Sequence, residues 1–219
     1  MPVLTATHWE YLLNSMDKDD IENLIIVDID DTCLDTISGF IKWLGKHNRL
    51  GTVTGNPITS RSLMGDWLGI SDDLATHWMR DFCERSWEWG ALYPIKGSQN
   101  AISDLYQNDW NFIGVTRGAS TMDRGTLRRA NLELIFPGMF EELYTMPMGA
   151  NVYPLIKDYS PAICITADVP VAVASAQAGH ITYLIDQPWN REYNDLSVRR
   201  FHSWDEILEA LDNLQKNLA

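Results

Sequence analysis

The sequence predicts an α/β protein in which a doubly wound, Rossmann-like parallel sheet carries a small helical subdomain inserted after its first strand. Five short apolar segments alternate with segments of helical character, which favours a parallel sheet covered by helices on both faces. The chain has 219 residues, of which 45% are hydrophobic, enough for the core of one ordinary domain. The gap between the first two apolar segments is too long for a single crossover, which predicts the inserted subdomain.

The five predicted strands are short and apolar, as expected of buried strands. They cover residues 24–29, 111–115, 142–145, 162–166 and 181–185. Helices are predicted at 97–107 and 121–133, and in the long gap from Pro57 and from Ser71. A last amphipathic helix follows the capping box that runs from Ser203 to Glu206, because these side chains can bond the free N–H groups of a first helical turn.

The inserted segment is predicted to be a helical cap of residues 34–92, and residues 1–33 and 93–219 form the core around it. Five of the nine tryptophans of the chain lie in this segment: Trp43, Trp67, Trp78, Trp87 and Trp89. Two explanations remain open for them. They fill the small core of the cap, or one or two face a cleft and stack on an aromatic ligand.

The charge and the apolar content of the chain exclude several classes of function. Lys and Arg number 17 against 30 Asp and Glu, so the net charge is −13, which disfavours binding to a nucleic acid polymer. No apolar run approaches the roughly 20 residues that cross a bilayer, and the N-terminal residues lack the pattern of a signal peptide. We therefore expect a soluble, cytoplasmic protein without a membrane partner. No feature decides between a monomer and a homodimer.

The cysteines and histidines do not have the spacing of a metal site. Cys33, Cys83 and Cys164 lie far apart and are expected to be reduced residues of the core. The five histidines include no pair at helical metal-binding spacing, so a zinc site is not expected.

The first predicted strand ends in an acidic motif, Asp28-Ile29-Asp30-Asp31-Thr32. An open parallel sheet binds its ligand at the carboxyl ends of its strands, so the motif lies where a site is expected. A structural explanation is that Asp30 or Asp31 caps the next helix and Asp28 merely ends the strand. Because three adjacent acids repel one another without a cation, a metal site is favoured.

Later strands place further polar residues near the same edge of the sheet. Thr116-Arg117-Gly118 follows the second strand, Lys157 precedes the fourth, and Asp168 follows the fourth. Each has an ordinary structural explanation: a helix-initiating loop, a solvated lysine, and a helix cap next to Pro170. Their order along the chain is what points to a site.

In this order, Asp28-x-Asp30-x-Thr32, Thr116, Lys157 and Asp168 resemble the four motifs of the haloacid dehalogenase (HAD) superfamily over essentially the whole chain. Members with a second Asp two residues after the first are mostly phosphatases or phosphotransferases. Three further segments are similar to the 5′-nucleotidase, or deoxyribonucleotidase, family: residues 184–190, residues 200–207 and residues 93–97. That family carries a small helical cap where residues 34–92 lie here.

The resemblance implies a role for each of these residues. Asp28 would be the nucleophile that forms an aspartyl-phosphate, and Asp30 would act as general acid and then as general base. Mg²⁺ would be held by Asp28, by the main-chain carbonyl of Asp30 and by Asp168. Thr116 would bind the transferring phosphoryl group, and Lys157 would neutralise its charge.

Two departures from the family pattern concern the same site. Relatives have an acid pair where this chain has Ala167-Asp168, so support for the metal from beyond its direct ligands is reduced. Arg117 stands where relatives often carry a small residue, and it either binds phosphate in bidentate fashion or lies outside the site.

The function expected from the resemblance is Mg²⁺-dependent hydrolysis of nucleoside 5′-monophosphates, with deoxynucleotides favoured, by a 5′-nucleotidase-like phosphatase. The partner would then be a small phosphoester, not a polymer. Two alternatives remain open: a HAD phosphatase for another small phosphoester, and a catalytically weak nucleotide-binding protein in which Ala167 has impaired the metal site.

Overall fold

The computed structural model describes residues 23–50, 64–159 and 161–218. The helical stretch predicted from Pro57 lies outside these residues. The helix predicted from Ser71 is present, and the Ser71 hydroxyl caps it by accepting a hydrogen bond from the backbone N–H of Leu74.

Within the described ranges the sheet has six strands, all paired in parallel, in the order β3-β2-β1-β4-β5-β6. They are β1 (Leu24–Asp28), β2 (Asn111–Thr116), β3 (Phe140–Thr145), β4 (Ile163–Thr166), β5 (Ile181–Ile185) and β6 (Val198–Phe201). The five predicted strands are confirmed and β6 is added at one edge. The first strand lies in the centre, between β2 and β4, so the strand order reverses at β1.

Helices follow the strands and fill the inserted segment. They are α1 (Thr36–Lys46), α2 (Met64–Leu68), α3 (Asp72–Arg85), α4 (Ser98–Gln107), α5 (Met122–Ile135), α6 (Tyr153–Ile156), α7 (Val169–Gln177) and α8 (Trp204–Leu218), with a 3₁₀ turn at Glu88–Gly90. The capping box is present in part: the Ser203 hydroxyl accepts from the Glu206 N–H, whereas the Glu206 carboxylate accepts from the N–H of His202. No helix in these ranges is long and apolar enough to cross a membrane.

Both faces of the sheet are covered, as predicted for a doubly wound fold. Ile25 and Val27 of β1 belong to one apolar cluster, and Leu24 and Ile26 belong to a second cluster. Because successive side chains of a strand point to opposite faces, the two clusters lie on opposite sides of β1. The central strand is therefore buried on both faces, and only its carboxyl end can reach a ligand.

The tryptophans of the inserted segment mostly fill its core. Trp43 stacks on Phe40 with ring centroids 6.0 Å apart, and Trp89 is fully buried. Trp67 and Trp78 are partly buried against the same cluster, whereas Trp87 is 65% exposed. The first explanation for the tryptophans therefore accounts for four of the five.

The two ends of the inserted segment run side by side where it joins the sheet. Leu34 forms a bridge with Pro94, the Asp35 N–H donates to the Tyr93 carbonyl at 2.9 Å, and the Ile95 N–H donates to the Cys33 carbonyl at 2.8 Å. This pairing fixes the segment directly above the carboxyl end of β1. Its division into a separate cap of residues 34–92 stays a prediction.

Candidate active site

Asp28 is the last residue of β1, and its side chain is buried, with the residue only 2% exposed. The Thr166 hydroxyl at the end of β4 donates to Asp28 Oδ2 at 2.8 Å, while Oδ1 has no hydrogen-bond partner among the described residues. Burial raises the pKa of the Asp28 carboxyl to about 7; Arg117 opposes this rise, and the Asp168 and Asp30 carboxylates add to it. Asp28 is thus a carboxylate held in place but incompletely stabilised.

Asp30 lies two residues after Asp28 and, unlike Asp28, it accepts hydrogen bonds at both carboxylate oxygens. Its Oδ1 accepts from the Thr36 hydroxyl at 2.9 Å and from the Arg128 guanidinium at 3.1 Å. Its Oδ2 accepts from the Thr116 hydroxyl at 2.6 Å and from the Arg117 N–H at 3.3 Å. Hydrogen bonds from four donors, one of them charged, stabilise the ionised form of a carboxyl group.

Arg128 is a site residue that the sequence did not reveal. It lies on α5, its side chain is 0% exposed, and its guanidinium carbon is 3.7 Å from the centre of the Trp89 ring. The Asn131 side chain accepts a hydrogen bond from Arg128 at 3.2 Å and also bonds both backbone groups of Leu92. Arg128 therefore connects the Asp30 carboxylate to the end of the inserted segment.

Arg117 and Asp168 meet in front of Asp28. One guanidinium nitrogen of Arg117 lies 2.7 Å from Asp168 Oδ2 and 4.0 Å from Asp28 Oδ2. Asp168 makes no side-chain cap bond to α7, so it does not serve as the helix cap considered for it. Both carboxylates thus lie within reach of one cation, and in this structure that cation is Arg117.

Asp31 and Thr32 have structural roles. Asp31 adopts a left-handed conformation with φ of 59°, and its carboxylate accepts from the Ile37 N–H at the start of α1. Asp31 thus bonds one free N–H of the first turn of α1, as the capping explanation expects, whereas the N-cap residue itself is Asp35, whose carboxylate accepts from the Ser38 N–H. The Thr32 hydroxyl accepts from the Ala167 N–H at 2.9 Å, which ties the motif after β1 to the end of β4.

Ala167, the departure from the family pattern, is fully buried and belongs to the larger apolar cluster. Its carbonyl accepts from the side chains of Trp189 and Asn190. The backbone at this position is therefore held by residues of the tail segment 184–190. A second carboxylate at this position would be buried among apolar groups.

Lys157 is placed differently from the other predicted site residues. It follows α6, its side chain is 47% exposed, and its ammonium group lies 4.0 Å from Asp158. The structure thus brings together Asp28, Asp30, Thr116, Arg117 and Asp168, and within the described ranges Arg117 is the side chain that forms ion pairs with Asp28 and Asp168. The role of Lys157 stays a prediction.

A cavity of about 360 Å³ opens between these residues and the inserted segment. Its polar end is formed by Asp30, Asp31, Arg117 and Asp168, whereas Asp28 does not line it. The remaining wall combines apolar side chains, those of Ile37, Met64, Met79, Cys83 and Met148, with the polar residues Thr36, Asp72 and Thr76. No aromatic residue of the described ranges lines the cavity, so the stacking explanation for the tryptophans receives no support.

The three cysteines are free and buried, as predicted. Burial raises the pKa of the Cys83 thiol, and Cys33 and Cys164 respond to burial in the same direction. Cys83 thus contributes an apolar surface to the cavity and not a nucleophile.

Asp28, together with residues at the polar end of the cavity, fits the Mg²⁺ that the resemblance implies. Asp28 offers a buried oxygen without a hydrogen-bond partner among the described residues, Asp168 lies beside it, and a hard cation prefers such oxygen donors. Within the described ranges no group of three or more His, Cys, Asp and Glu side chains has the arrangement of a metal site. The side-chain donors would accordingly be Asp28 and Asp168, with the Asp30 carbonyl as the third protein ligand.

No protein-family model and no curated protein matches the sequence. Solved structures do match its fold, over most of this chain and nearly all of their own. A HAD-superfamily hydrolase from Ehrlichia chaffeensis has a TM-score of 0.58 and 14% identity, covering 88% of this chain and 97% of its own. CbbY from Rhodobacter sphaeroides, solved in complex with phosphate, has a TM-score of 0.57 and 14% identity, covering 87% and 99%.

A third match is a D,D-heptose 1,7-bisphosphate phosphatase from B. bronchiseptica, solved in complex with magnesium and phosphate. It has a TM-score of 0.50 and 15% identity, covering 87% of this chain and 98% of its own. At these identities the likeness shows the fold, which is that of HAD hydrolases.

Proposed function

We propose that this protein is a phosphomonoesterase in which Asp28 is the nucleophile and Asp30 the general acid and base. The observation that carries the proposal is the contrast between these two carboxylates at the end of the central strand. Asp28 is buried with one bonded oxygen and one oxygen that has no hydrogen-bond partner among the described residues, whereas both oxygens of Asp30 are held, by four donors in all. Two carboxylates with different environments can take different roles in one reaction.

In the first step, a carboxylate oxygen of Asp28 attacks phosphorus and the bond between phosphorus and the ester oxygen breaks. The departing alkoxide takes its proton from Asp30. For this step Asp30 must carry a proton, and the hydroxyl groups of Thr36 and Thr116 can turn from donors to acceptors to accommodate it. The donors on Asp30 hold its carboxylate in one orientation at the polar end of the cavity.

In the second step, water attacks the aspartyl-phosphate, Asp30 takes a proton from that water, and the bond between Asp28 and phosphorus breaks. The ionised form of Asp30, which its four donors stabilise, is the form this step requires. Asp28 is released as a carboxylate and the product is inorganic phosphate.

Mg²⁺, when bound, supplies positive charge next to the nucleophile and the phosphoryl oxygens. Asp28, Asp168 and the Asp30 carbonyl are the groups that would hold it. This chain's own positive charge near the reacting atoms comes from Arg117, which can bind phosphoryl oxygens through two N–H groups.

The proposed substrates are nucleoside 5′-monophosphates. The cavity of about 360 Å³ falls in the range of small-molecule sites, and its acidic end and apolar wall match a metal-bound phosphate and a flat apolar group, respectively. Met64, Met79 and Met148 can contact a base through their thioethers in place of aromatic stacking. The similarity of the tail segments to the 5′-nucleotidase family supports the same substrate.

A phosphate-release assay with Mg²⁺ tests this proposal on ribo- and deoxynucleoside 5′-monophosphates and on sugar phosphates. We expect release from nucleotides, its loss in Asp28→Asn, and no loss in the control Asp104→Asn, which changes an exposed acid of α4. Release from sugar phosphates alone would contradict the nucleotide substrate. Equal activity of Asp28→Asn and wild type would contradict the mechanism.

The alternative of a weak nucleotide-binding protein draws on two observations: Arg117 forms an ion pair with Asp168, and position 167 lacks an acid. It predicts that no nucleotide is hydrolysed while a nucleotide still raises the melting temperature. The same protein sample can be used for both measurements.

A further inference from the structure

We propose that Arg117 is a displaceable counter-ion that covers Asp28 in the metal-free protein and is released into the cavity when a divalent cation binds. This inference rests on the proposed function, since it concerns the same site. It assigns to Arg117 a coupling role that follows from its contacts in this chain.

Arg117 lies between the nucleophile and the cavity. Arg117 lines the cavity, whereas Asp28 does not and is only 2% exposed. The guanidinium nitrogen closest to Asp28 is the one that pairs with Asp168. A phosphoester in the cavity therefore meets Arg117 before it meets Asp28, and attack requires the guanidinium to move.

Arg117 and a bound cation would compete for the same carboxylate oxygen atoms. Asp168 Oδ2 lies 2.7 Å from the guanidinium, and the side chain of Arg117 is only 13% exposed. A cation held by Asp28 and Asp168 would draw on the same two carboxylates, and two positive groups close to each other in a buried site repel. Cation binding therefore weakens the hold of Asp168 on Arg117.

The backbone of Arg117 is held in place by contacts with neighbouring residues. The Arg117 N–H bonds Asp30, and the next residue, Gly118, packs so closely that a Cβ there would lie 2.9 Å from the Trp89 ring. The main chain is thus fixed while the side chain ends at the cavity. A released guanidinium has the cavity as its destination, where it can bind phosphate oxygens.

Together these contacts couple the binding of the cation to the binding of phosphate. The cation releases Arg117, and the released Arg117 adds to phosphate affinity, so each ligand strengthens the other by the same factor. Replacing Arg117 by an apolar residue should then separate two effects: tighter binding of the cation and weaker binding of phosphate.

Labelling with phenylglyoxal, which reacts with accessible guanidinium groups, measures the displacement without reference to turnover. Mass spectrometry follows modification of Arg117, with Arg80, an exposed residue of α3, as the reference in the same sample. We expect Mg²⁺ to raise the rate at Arg117 several-fold relative to Arg80, and added inorganic phosphate to lower it again. A rate that Mg²⁺ leaves unchanged or lowers would overturn the proposal.

Calorimetric titration with Mg²⁺ alone gives the second test. We expect Arg117→Met to bind Mg²⁺ at least about tenfold more tightly than wild type, which corresponds to about 1.4 kcal/mol. Arg80→Met makes the same change of charge at an exposed position and should bind Mg²⁺ like wild type. Equal or weaker binding by Arg117→Met would overturn the proposal.

These outcomes are separable from those of the proposed function. Phosphoester hydrolysis by wild type with no response of Arg117 to Mg²⁺ would overturn the displacement and leave the phosphatase intact. A clear response of Arg117 in a protein that hydrolyses no phosphoester would support the displacement and contradict the phosphatase.

Discussion

Arg128 is the buried charge on which the position of Asp30 depends. Its guanidinium lies under Asp30, stacks on Trp89 and is fully enclosed. Burial lowers the pKa of Arg128, and the Asp30 carboxylate opposes this effect. The pair costs desolvation energy in the folded state, and its hydrogen bond holds the Asp30 carboxylate in one orientation.

Replacing Arg128 by Met should destabilise the protein by about 3–5 kcal/mol, because the Asp30 carboxylate loses its buried cation. Urea unfolding followed by tryptophan fluorescence measures this. In the Asp30→Asn background the same change should cost less, since no charge is left without a partner, with a coupling of about 0.5–3 kcal/mol.

The control for this cycle is Arg129→Met, which removes a neighbouring guanidinium that is exposed and, within the described residues, bonds the Leu143 carbonyl alone, at 3.4 Å. It should change the free energy of unfolding by less than about 0.5 kcal/mol. Additive effects of the Arg128 and Asp30 substitutions would contradict the buried pair.

At the scale of residues, the sequence located the acids better than the cations. Asp28, Asp30 and Asp168 were predictable because each follows or ends an apolar strand, and strands fix where their ends lie. Arg128 was not predictable, because the direction in which a helical side chain points depends on how α5 packs against Trp89. The exposed side chain of Lys157 depends in the same way on tertiary placement.

At the scale of elements, the loop after β2 and the 3₁₀ turn that carries Trp89 approach each other closely. A Cβ on Gly118 would lie 2.9 Å from Trp89 Cζ2 and 3.3 Å from Cys83 Sγ. Trp89 is fully buried and its ring cannot turn away freely. The glycine thus allows the inserted segment to lie directly on the loop that carries Arg117.

Gly118→Ala should lower the free energy of unfolding by about 1–3 kcal/mol through overpacking against Trp89. Thermal and urea unfolding measure the loss, and Ser120→Ala, at an exposed position of the same loop, serves as control. The Gly118→Ala cost should shrink in a Trp89→Phe background, where the smaller ring leaves room. Stabilisation by Gly118→Ala, as expected from backbone entropy alone, would rule out the close contact.

His180 joins α6 to β4 as a neutral ring. Its Nδ1 accepts from the Ala162 N–H at 3.1 Å, which leaves Nε2–H to donate to the Ile156 carbonyl at 3.0 Å. Burial lowers the pKa of His180 below its ordinary value, against a smaller opposite effect of the bond to Ile156. Protonation would remove the acceptor of the Ala162 N–H.

The unfolded chain therefore binds a proton at His180 more readily than the folded protein, and the free energy of unfolding should fall as the pH drops below about 6.5. Urea unfolding on either side of this pH measures the slope. His180→Asn, which keeps an acceptor near the position of Nδ1, should reduce the slope, whereas His77→Asn, at an exposed position, should not. An unchanged slope in His180→Asn would contradict the buried neutral ring.

Strand β6 shows why part of the sheet was not predictable. Its sequence, Val198-Arg199-Arg200-Phe201, contains two charges in four residues, as an edge strand can, and lacks the apolar run that identified the others. Arg200 is held there by tertiary contacts with Asp186, Asn190 and Tyr193. Strand β6 can therefore be recognised only once the tail segment is folded, whereas the buried apolar runs of β1, β2, β4 and β5 are enough to predict those strands.

At the scale of the whole molecule, the excess of acidic residues that gives the chain its net charge of −13 is also present in the site. Four carboxylates, those of Asp28, Asp30, Asp31 and Asp168, surround two guanidinium groups, those of Arg117 and Arg128. Both guanidinium groups are already engaged by carboxylates. A phosphate dianion that approaches the metal-free protein therefore meets repulsion at long range and no available cation among these groups.

Inorganic phosphate should accordingly raise the melting temperature only when a divalent cation is present. Thermal unfolding with phosphate and Mg²⁺, compared with phosphate and EDTA, measures this. At a phosphate concentration of about 100 times the dissociation constant, the stabilisation is about 2.7 kcal/mol. Sodium chloride at matched ionic strength and a single-stranded oligonucleotide are the controls, and neither should reproduce the shift. An equal shift in EDTA would mean that a guanidinium already faces the cavity unpaired, which would contradict both the charge balance of the site and the covering position of Arg117.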